Sequence, residues 1–141
     1  MISKQFVSWA KVDHIIDIMI HGTGINSSIP NLSRITCVHG LERGGLIPAV
    51  IVSHKLNIPY TSYPELFKPS EVLIVDDICD SGKTLSRWIN DGFTTAVLHH
   101  KSHTACCTPS LSGVITNSND WIVYPWEAND SKTIQDYLLD K

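Results

Sequence analysis

Three aspartates and a short polar loop follow an apolar run near the middle of the chain. The apolar run occupies positions 72–75, Asp76 and Asp77 come directly after it, and Asp80 lies three positions further on. An ionised carboxylate only accepts hydrogen bonds, so adjacent aspartates suit the vicinal hydroxyls of a sugar or a divalent cation. This group of side chains therefore indicates a binding site for sugar hydroxyls or for a metal ion.

The residues after Asp80 favour a phosphate. They are Ser81, Gly82, Lys83 and Thr84, and they stand where a helix is predicted to begin. The unpaired N–H groups and the dipole at a helix start attract an anion. The whole segment predicts a site for a sugar phosphate, with the hydroxyls at one end and the phosphate at the other.

Two other interpretations of this segment account for less of it. A nucleotide-triphosphate P-loop also ends in Gly-Lys-Thr, but it requires glycine at position 77, where this chain has aspartate. An anionic side chain there would repel the phosphates that such a loop surrounds. An ordinary corner between a strand and a helix explains the apolar run and a capping serine or aspartate. It does not explain three aspartates within five positions.

A glycine-containing loop at positions 41–48 is a second candidate site. Its sequence, Leu-Glu-Arg-Gly-Gly-Leu-Ile-Pro, includes Arg43 and Gly44. Glycine lets backbone amides approach a polyanion closely, and the arginine guanidinium is a permanently charged donor that matches phosphate oxygens. Considered alone, a surface turn with an arginine accounts for this loop equally well.

An aromatic segment at positions 120–127, Asp-Trp-Ile-Val-Tyr-Pro-Trp-Glu, is a third candidate. The face of Trp121 could stack on a purine, as aromatic side chains stack on nucleic-acid bases. Packing in the core is the alternative for both tryptophans, and it suits Trp126 best. Lys101, at the end of a predicted strand, would by itself be taken as a solvated lysine.

Helix and strand signals alternate along the chain, which predicts an α/β fold with a mostly parallel, twisted sheet flanked by helices. Apolar residues at helical spacing predict a first helix that Ser8 caps and that stops at Gly22. Residues 1–9 are interpreted as the short start that leads into this helix. The other predicted elements are strands at 35–39, 60–63, 72–75, 94–100 and 121–124, and helices at 47–56, from the phosphate loop to Gly92, and around Ile134, Tyr137 and Leu138. The segment between the last two strands is predicted to be irregular.

The composition is typical of one soluble domain. A chain of 141 residues with 43% hydrophobic content can bury a core, and we predict a single domain over residues 1–141. Charged residues make up 18% and the net charge is −3, which provides no basic surface for nucleic acid. No apolar run is long enough to span a membrane and no leader is evident, so we expect a cytoplasmic protein.

The four cysteines are predicted to be reduced thiols. There is no Cys-x-x-Cys pair, and two of the four, Cys106 and Cys107, are adjacent. The histidines at 99, 100 and 103 beside Cys106 are the remaining candidates for a metal site. A strand would direct the first two histidines to opposite faces, which disfavours a site that uses both.

Positions 72–85 resemble the signature for binding phosphoribosyl diphosphate (PRPP) in type I phosphoribosyltransferases: four apolar residues, two acids, then an acid-Ser-Gly-Lys-Thr loop. The resemblance implies that Asp76 and Asp77 contact the ribose hydroxyls and help to position magnesium. It implies that the loop at 80–84 holds the 5′-phosphate, and that Asp80 takes the proton from N7 of a purine acceptor.

The loop at 41–48 is similar to the pyrophosphate loop of the xanthine, guanine and hypoxanthine phosphoribosyltransferases, in which an Arg-Gly-Gly-Leu-Ile-Pro sequence precedes an apolar helix. By this resemblance Arg43 and Gly44 contact the pyrophosphate of PRPP.

The aromatic segment resembles the Trp-Ile-x-x-Pro-Trp-Asp/Glu element of the same 6-oxopurine enzymes. The resemblance implies that Trp121 stacks on the base, that Ile122 contacts it through its backbone, and that Glu127 lies near the magnesium. Lys101 matches the family lysine that donates to the purine O6 oxygen. Such a donor would disfavour adenine, because it would face the donor of the 6-amino group.

The resemblance extends over about positions 9–127 and implies the type I phosphoribosyltransferase fold with a small C-terminal base-binding hood. It implies a magnesium-dependent transferase of purine salvage, which moves the 5-phosphoribosyl group from PRPP to guanine, xanthine or hypoxanthine and releases a purine mononucleotide and pyrophosphate. Relatives commonly form homodimers or larger homo-oligomers.

The chain departs from the family at positions 62–71, which are shorter than the flexible loop that closes over the reacting centre and contain two prolines. Segment 102–112 is a candidate to replace that loop. A non-enzymatic PRPP- or nucleotide-binding regulator of the same fold is therefore the alternative function, and a transferase for another nitrogenous acceptor is a weaker one. Val123 stands where some xanthine-preferring relatives have an acid or an amide, which leaves the preferred base open.

Overall fold

The computed structural model describes residues 3–21 and 32–127, which form two parallel sheets and three α-helices. In chain order the elements are β1 (Lys4–Phe6), α1 (Trp9–His21), β2 (Cys37–Gly40), α2 (Leu46–Leu56), β3 (Val72–Cys79), α3 (Lys83–Asn90), β4 (Thr94–Lys101), β5 (Leu111–Thr116) and β6 (Trp121–Val123). The predicted last helix, around Ile134, Tyr137 and Leu138, lies outside the described residues.

The main sheet has the strand order β2-β3-β4-β5 and is covered on both sides. The helices α1 and α2 pack on one side through residues such as Ile16 and Val52, and α3 packs on the other side through Leu85. Residues 72–75 of β3 are completely buried between these layers. The predicted α/β fold with a parallel sheet is therefore confirmed.

The central strand β3 is longer than the predicted strand at 72–75. Hydrogen-bonded pairing with β4 continues through Asp76, opposite Val97, and on to Cys79, opposite His100. The two aspartates therefore lie within the last half of the strand, because the neighbouring strand continues to supply partners for its backbone.

The N-terminal residues form a strand where the start of a helix was predicted. Residues Lys4–Phe6 pair in parallel with β6, in the register Lys4 to Trp121. Helix α1 begins at Trp9, and Ser8 caps it by accepting a hydrogen bond from the Lys11 N–H at 3.1 Å. No local pattern indicates this strand, because its partner is more than a hundred residues away along the chain.

Two predictions were wrong: the strand at 60–63 and the irregular segment before Trp121. Positions 60–63 form no strand, only a single bridge from Tyr60 to Val38, followed by the short 3-10 turns Pro64–Leu66 and Pro69–Glu71. Proline lacks an N–H donor and favours such turns over a sheet. The segment predicted to be irregular before Trp121 contains β5, which pairs with β4. No helix in the described ranges is both long and apolar enough to cross a membrane.

Candidate active site

The two aspartates of β3 are held by the backbone around them. Asp76 is only 5% exposed, and its carboxylate accepts a hydrogen bond from the Asp77 N–H at 2.9 Å. The Asp77 carboxylate accepts one from the Ile78 N–H at 2.8 Å. Burial raises the pKa of Asp77, and the hydrogen bond from the Ile78 N–H partly offsets this increase. Both carboxylates are thus fixed in position at the end of the sheet before any ligand is present.

The loop between β2 and α2 lies directly against Asp77. Leu41 donates its N–H to the Val75 carbonyl at 2.9 Å, which fixes the start of the loop to β3, and the Glu42–Arg43 peptide bond is cis. A Cβ atom added to Gly44 would lie 2.6 Å from Cγ of Asp77, closer than any real contact. A side chain at position 44 would therefore displace the Asp77 carboxyl, and the structure brings Arg43 and Gly44 to the predicted ribose carboxylates.

Glu127 completes an acidic group with Asp77. It is half-buried, and its N–H donates to the Tyr124 carbonyl at 3.0 Å. Burial raises the pKa of Glu127, the charge of Asp77 raises it further, and Arg43 opposes the shift. The predicted metal ligands therefore share one electrostatic environment with the predicted pyrophosphate arginine.

The chemistry of these two carboxylates fits a divalent cation that arrives with a phosphorylated substrate. A cation beside Asp77 and Glu127 would offset the burial that raises both pKa values and the charge of Asp77 that further raises the pKa of Glu127. Within the described ranges no group of three or more His, Cys, Asp or Glu side chains could hold a metal ion by itself. Magnesium is typically bound by one or two carboxylates together with substrate phosphates, which is consistent with this donor set.

The predicted phosphate-binding loop at 80–84, which we call the phosphate loop, begins at the exposed Asp80 and leads into α3. Ser81 accepts a hydrogen bond from the Lys83 N–H through its hydroxyl at 3.3 Å. Gly82 has a φ of +81° and caps α3 without a side-chain hydrogen bond. The structure therefore places Ser81, Gly82, Lys83 and Thr84 at the start of a helix, a position where backbone N–H groups attract an anion.

Residues 102–108, which we call the cover segment, pack on this loop. Thr104 places its hydroxyl within hydrogen-bond distance of the Asp80 carboxylate at 2.8 Å and of the Asp80 carbonyl at 3.0 Å. Cys106 donates its N–H to the Ser81 carbonyl at 2.9 Å. Sequence reasoning missed Thr104, because nothing in the residues between β4 and β5 indicates which loop they touch.

The predicted base-binding residues lie together at the end of β4 and in β6. Lys101 is only 7% exposed, so it is not the solvated lysine that it would be alone. Its ammonium donates at 2.8 Å to the carbonyl of Asp120, which directly precedes Trp121. Trp121 is partly exposed and Ile122 is buried. Trp126 instead stacks in parallel on Tyr124 at 5.0 Å, which supports a packing role for it.

Tyr124 connects the aromatic segment at 120–127 to the predicted ribose carboxylates, and this connection was not predicted. Its hydroxyl donates to the Asp77 carbonyl at 3.0 Å and lies 2.8 Å from Nδ1 of His99. Burial, followed by the charge of Lys101, lowers the pKa of His99 to about 4. Because the single hydroxyl proton is used by Asp77, the neutral imidazole donates its Nδ1–H to the tyrosine oxygen. This chain of bonds joins β4, β3 and the end of β6.

Comparisons with known proteins agree with this geometry. The chain is 32% identical over 120 residues to the xanthine-guanine phosphoribosyltransferase of Cereibacter sphaeroides, covering 64% of this chain and 68% of that protein. It superimposes on a purine phosphoribosyltransferase from Pyrococcus horikoshii with a TM-score of 0.70 and 28% identity, over 95% of this chain and 100% of that one.

A more distant structure shares the fold alone. The xanthine-guanine-hypoxanthine phosphoribosyltransferase of Helicobacter pylori matches with a TM-score of 0.66 and 17% identity, over 89% of this chain and 95% of that one. No protein-family model matches the chain. The identity to the Cereibacter enzyme and the shared fold together establish that the chain belongs to the type I phosphoribosyltransferase family, near its 6-oxopurine members.

Proposed function

We propose that the chain transfers the 5-phosphoribosyl group from PRPP to a 6-oxopurine, giving a purine mononucleotide and pyrophosphate. The observation that carries this proposal is the hydrogen bond from Tyr124 to the Asp77 carbonyl. It joins the segment that contains the base residues to the strand that carries the ribose carboxylates. A purine and a ribose bound at these two places would face each other across this contact.

The sugar phosphate would be held from both ends. Asp76 and Asp77, already fixed by backbone hydrogen bonds, accept from the ribose hydroxyls. The open start of α3 at Gly82 receives the 5′-phosphate. Holding the ribose at two points restricts its motion and places its C1 for attack, which is a large part of the rate enhancement available to such a transfer.

The leaving group would lie between Arg43 and the acidic residues. The Arg43 guanidinium and the backbone of Gly44 would contact the pyrophosphate, and Asp77 and Glu127 would hold magnesium. When bound, the metal ion offsets the negative charge that develops on the departing pyrophosphate. The residues of the chain supply orientation, because Gly44 lets the loop lie directly against Asp77.

The purine would be selected by Lys101 and oriented by Trp121. The Lys101 ammonium is fixed at the Asp120 carbonyl, which leaves further N–H donors for the O6 oxygen of a base stacked on Trp121. Adenine would present its own donor at this position and would be rejected. Asp80 would take the proton from N7, with Thr104 holding its carboxylate in place.

A turnover assay with magnesium, PRPP and each of guanine, xanthine, hypoxanthine and adenine tests this function. We expect product with at least one 6-oxopurine and none with adenine. The substitution Lys101→Gln should lower kcat/KM for the oxopurine by at least tenfold, whereas Lys11→Gln, at an exposed lysine of α1, should not. Binding of PRPP without product from any base would instead support the regulatory alternative, which the short 62–71 segment motivates.

Three further properties are proposed on the family resemblance. We propose that residues 1–141 act as a single domain, that the protein is cytoplasmic, and that it assembles as a homodimer or larger homo-oligomer. We do not expect nucleic acid to be a partner. Sedimentation analysis of the purified chain measures the assembly directly. A monomer at micromolar concentration would contradict it.

A further inference from the structure

Three free cysteines meet beside the phosphate loop, and the proposed reaction uses none of them. Cys79 is the last residue of β3, and Cys106 and Cys107 lie in the cover segment. Cys106 and Cys107 both lie against Gly82, where an added Cβ atom would be 3.2 Å and 2.9 Å from their sulfur atoms. Cys107 also packs against the core layer that contains Cys79. The sulfur atoms therefore form a continuous group from the core to the surface.

Cys107 also contacts the phosphate loop. Its thiol donates a hydrogen bond to the Gly82 carbonyl at 3.4 Å. A Cβ atom added to Gly82 would lie 2.9 Å from the Cys107 sulfur, so the loop and the thiol are packed closely. A change in the chemistry of this sulfur therefore acts directly on the residue that caps α3.

We propose that Cys79 and Cys107 form an oxidation site, at which a peroxide joins the two thiols in a disulfide that weakens phosphate binding by the loop. The Cys107 thiolate attacks the peroxide O–O bond and becomes a sulfenic acid, releasing the first water after protonation. The Cys79 sulfur then displaces the hydroxyl as the second water, and the disulfide forms. Two thiols and one hydrogen peroxide thus give one disulfide and two water molecules.

The structure favours this pair over the two adjacent cysteines. Neighbouring Cα atoms are about 3.8 Å apart across a trans peptide, whereas disulfides join Cα atoms about 4.4–6.8 Å apart. A bond between Cys106 and Cys107 would therefore distort the backbone. Cys107 packs against the core layer that contains Cys79, and this pair is not subject to such a constraint.

Exposure and acidity set the order and the rate of the steps. Cys79 is 2% exposed, whereas Cys107 is half-buried and can be reached by a small oxidant. Burial raises the pKa of the Cys107 thiol, and its greater exposure makes Cys107 the first nucleophile. Because the thiolate is the reactive form, the reaction should accelerate as the pH rises above neutrality.

The disulfide would remove a donor from the phosphate loop. Once oxidised, Cys107 has no proton to give to the Gly82 carbonyl, and its sulfur moves to bonding distance of Cys79. The effect on PRPP rests on the proposed function, whereas the formation of the disulfide does not. We expect oxidation to weaken PRPP binding by about tenfold, and reduction by dithiothreitol to restore it.

Peptide mapping of the whole chain tests the disulfide. The reduced protein is treated with hydrogen peroxide, free thiols are alkylated, and the protein is digested with trypsin. A bond from Cys79 to Cys107 links peptide 56–83 to peptide 102–132. A bond between Cys106 and Cys107 leaves these peptides separate. Peptide 102–132 then carries no alkyl group and is lighter than its reduced, unalkylated form by the mass of two hydrogen atoms.

Two variants assign the bond. The cross-link should persist in Cys106→Ser and disappear in Cys107→Ser, whose hydroxyl can still donate to the Gly82 carbonyl. Loss of the cross-link in Cys106→Ser, or an oxidised protein without cross-linked peptides, would overturn the assignment. Titration calorimetry with PRPP before and after oxidation completes the test. A cross-linked protein with unchanged PRPP affinity would refute the effect on the loop, whereas a reduced protein that does not bind PRPP would refute the proposed function instead.

Discussion

Removing the hydroxyl of Tyr124 should loosen the contact between the aromatic segment at 120–127 and the strand that carries Asp76 and Asp77. In Tyr124→Phe the ring remains, so its stacking on Trp126 is kept. The Asp77 carbonyl loses its donor at 3.0 Å and the Nδ1–H of His99 loses its acceptor at 2.8 Å. Both groups are left inside the protein without these partners.

The expected magnitude follows from these two losses. A buried polar group that loses its hydrogen-bond partner costs about 1–3 kcal/mol, so the two together should lower the free energy of unfolding by about 2–6 kcal/mol. With an unfolding entropy of about 2.1 cal/mol/K per residue, a domain of this length should lose roughly 3 °C of Tm for each kcal/mol. We therefore expect Tm to fall by about 6–18 °C.

Thermal unfolding and steady-state kinetics measure the two consequences. Tyr63→Phe is the matched control, because Tyr63 is 63% exposed on the surface and its hydroxyl should contribute little. Displacement of the Asp77 backbone should also lower kcat/KM by about tenfold to a hundredfold, since small errors in substrate position are costly. A Tyr124→Phe protein with the Tm and kcat/KM of the parent would refute the role given to this hydroxyl.

Four other changes have defined outcomes. Asp80→Asn should reduce kcat by at least a hundredfold with little change in the Kd for PRPP, measured by turnover and calorimetry; an equal loss of both would remove Asp80 from proton transfer. Gly44→Ala should abolish PRPP binding with little loss of helicity by circular dichroism, because the new Cβ displaces the Asp77 carboxyl; retained binding would contradict the close approach. Trp121→Ala should raise KM for the base about tenfold and leave that for PRPP unchanged. The lowered pKa of His99, about 4, means that folding keeps it neutral, so its contribution to stability is complete above about pH 6.5 and is lost as the pH falls towards 4; Tm at pH 7 and pH 5 should differ more for the parent than for His99→Asn.

The local patterns predicted most of the elements that carry the site. The apolar run at 72–75 and the glycine that caps α3 are local signals, and both elements formed where they were expected. The end of β3 was placed too early because its continuation depends on pairing with β4, which no local pattern shows. The strands β1 and β5 were missed for the same reason: each exists only through a partner distant along the chain.

The candidate site was predictable where residue types are chemically specific and not where they act through contacts. Aspartates beside a glycine-containing loop suggested ligands from the residue types themselves, whereas Lys101 was assigned a role only through the family resemblance. Nothing in the sequence indicated that Tyr124 would bond to the Asp77 backbone or that Thr104 would reach Asp80, because both contacts depend on how loops pack. Gly44 was proposed as a phosphate contact, and the structure adds a second reason for glycine there, the space taken by the Asp77 carboxyl.

A competition between guanine and adenine tests catalysis and base selection together. The purified chain is incubated with magnesium, PRPP and equal amounts of the two bases, and nucleotides and pyrophosphate are quantified by chromatography. We predict guanosine monophosphate and pyrophosphate in equal amounts, with adenine unchanged. Formation of the adenine nucleotide, or release of pyrophosphate without any nucleotide, would contradict the role of Lys101 and the transfer of the phosphoribosyl group to a 6-oxopurine.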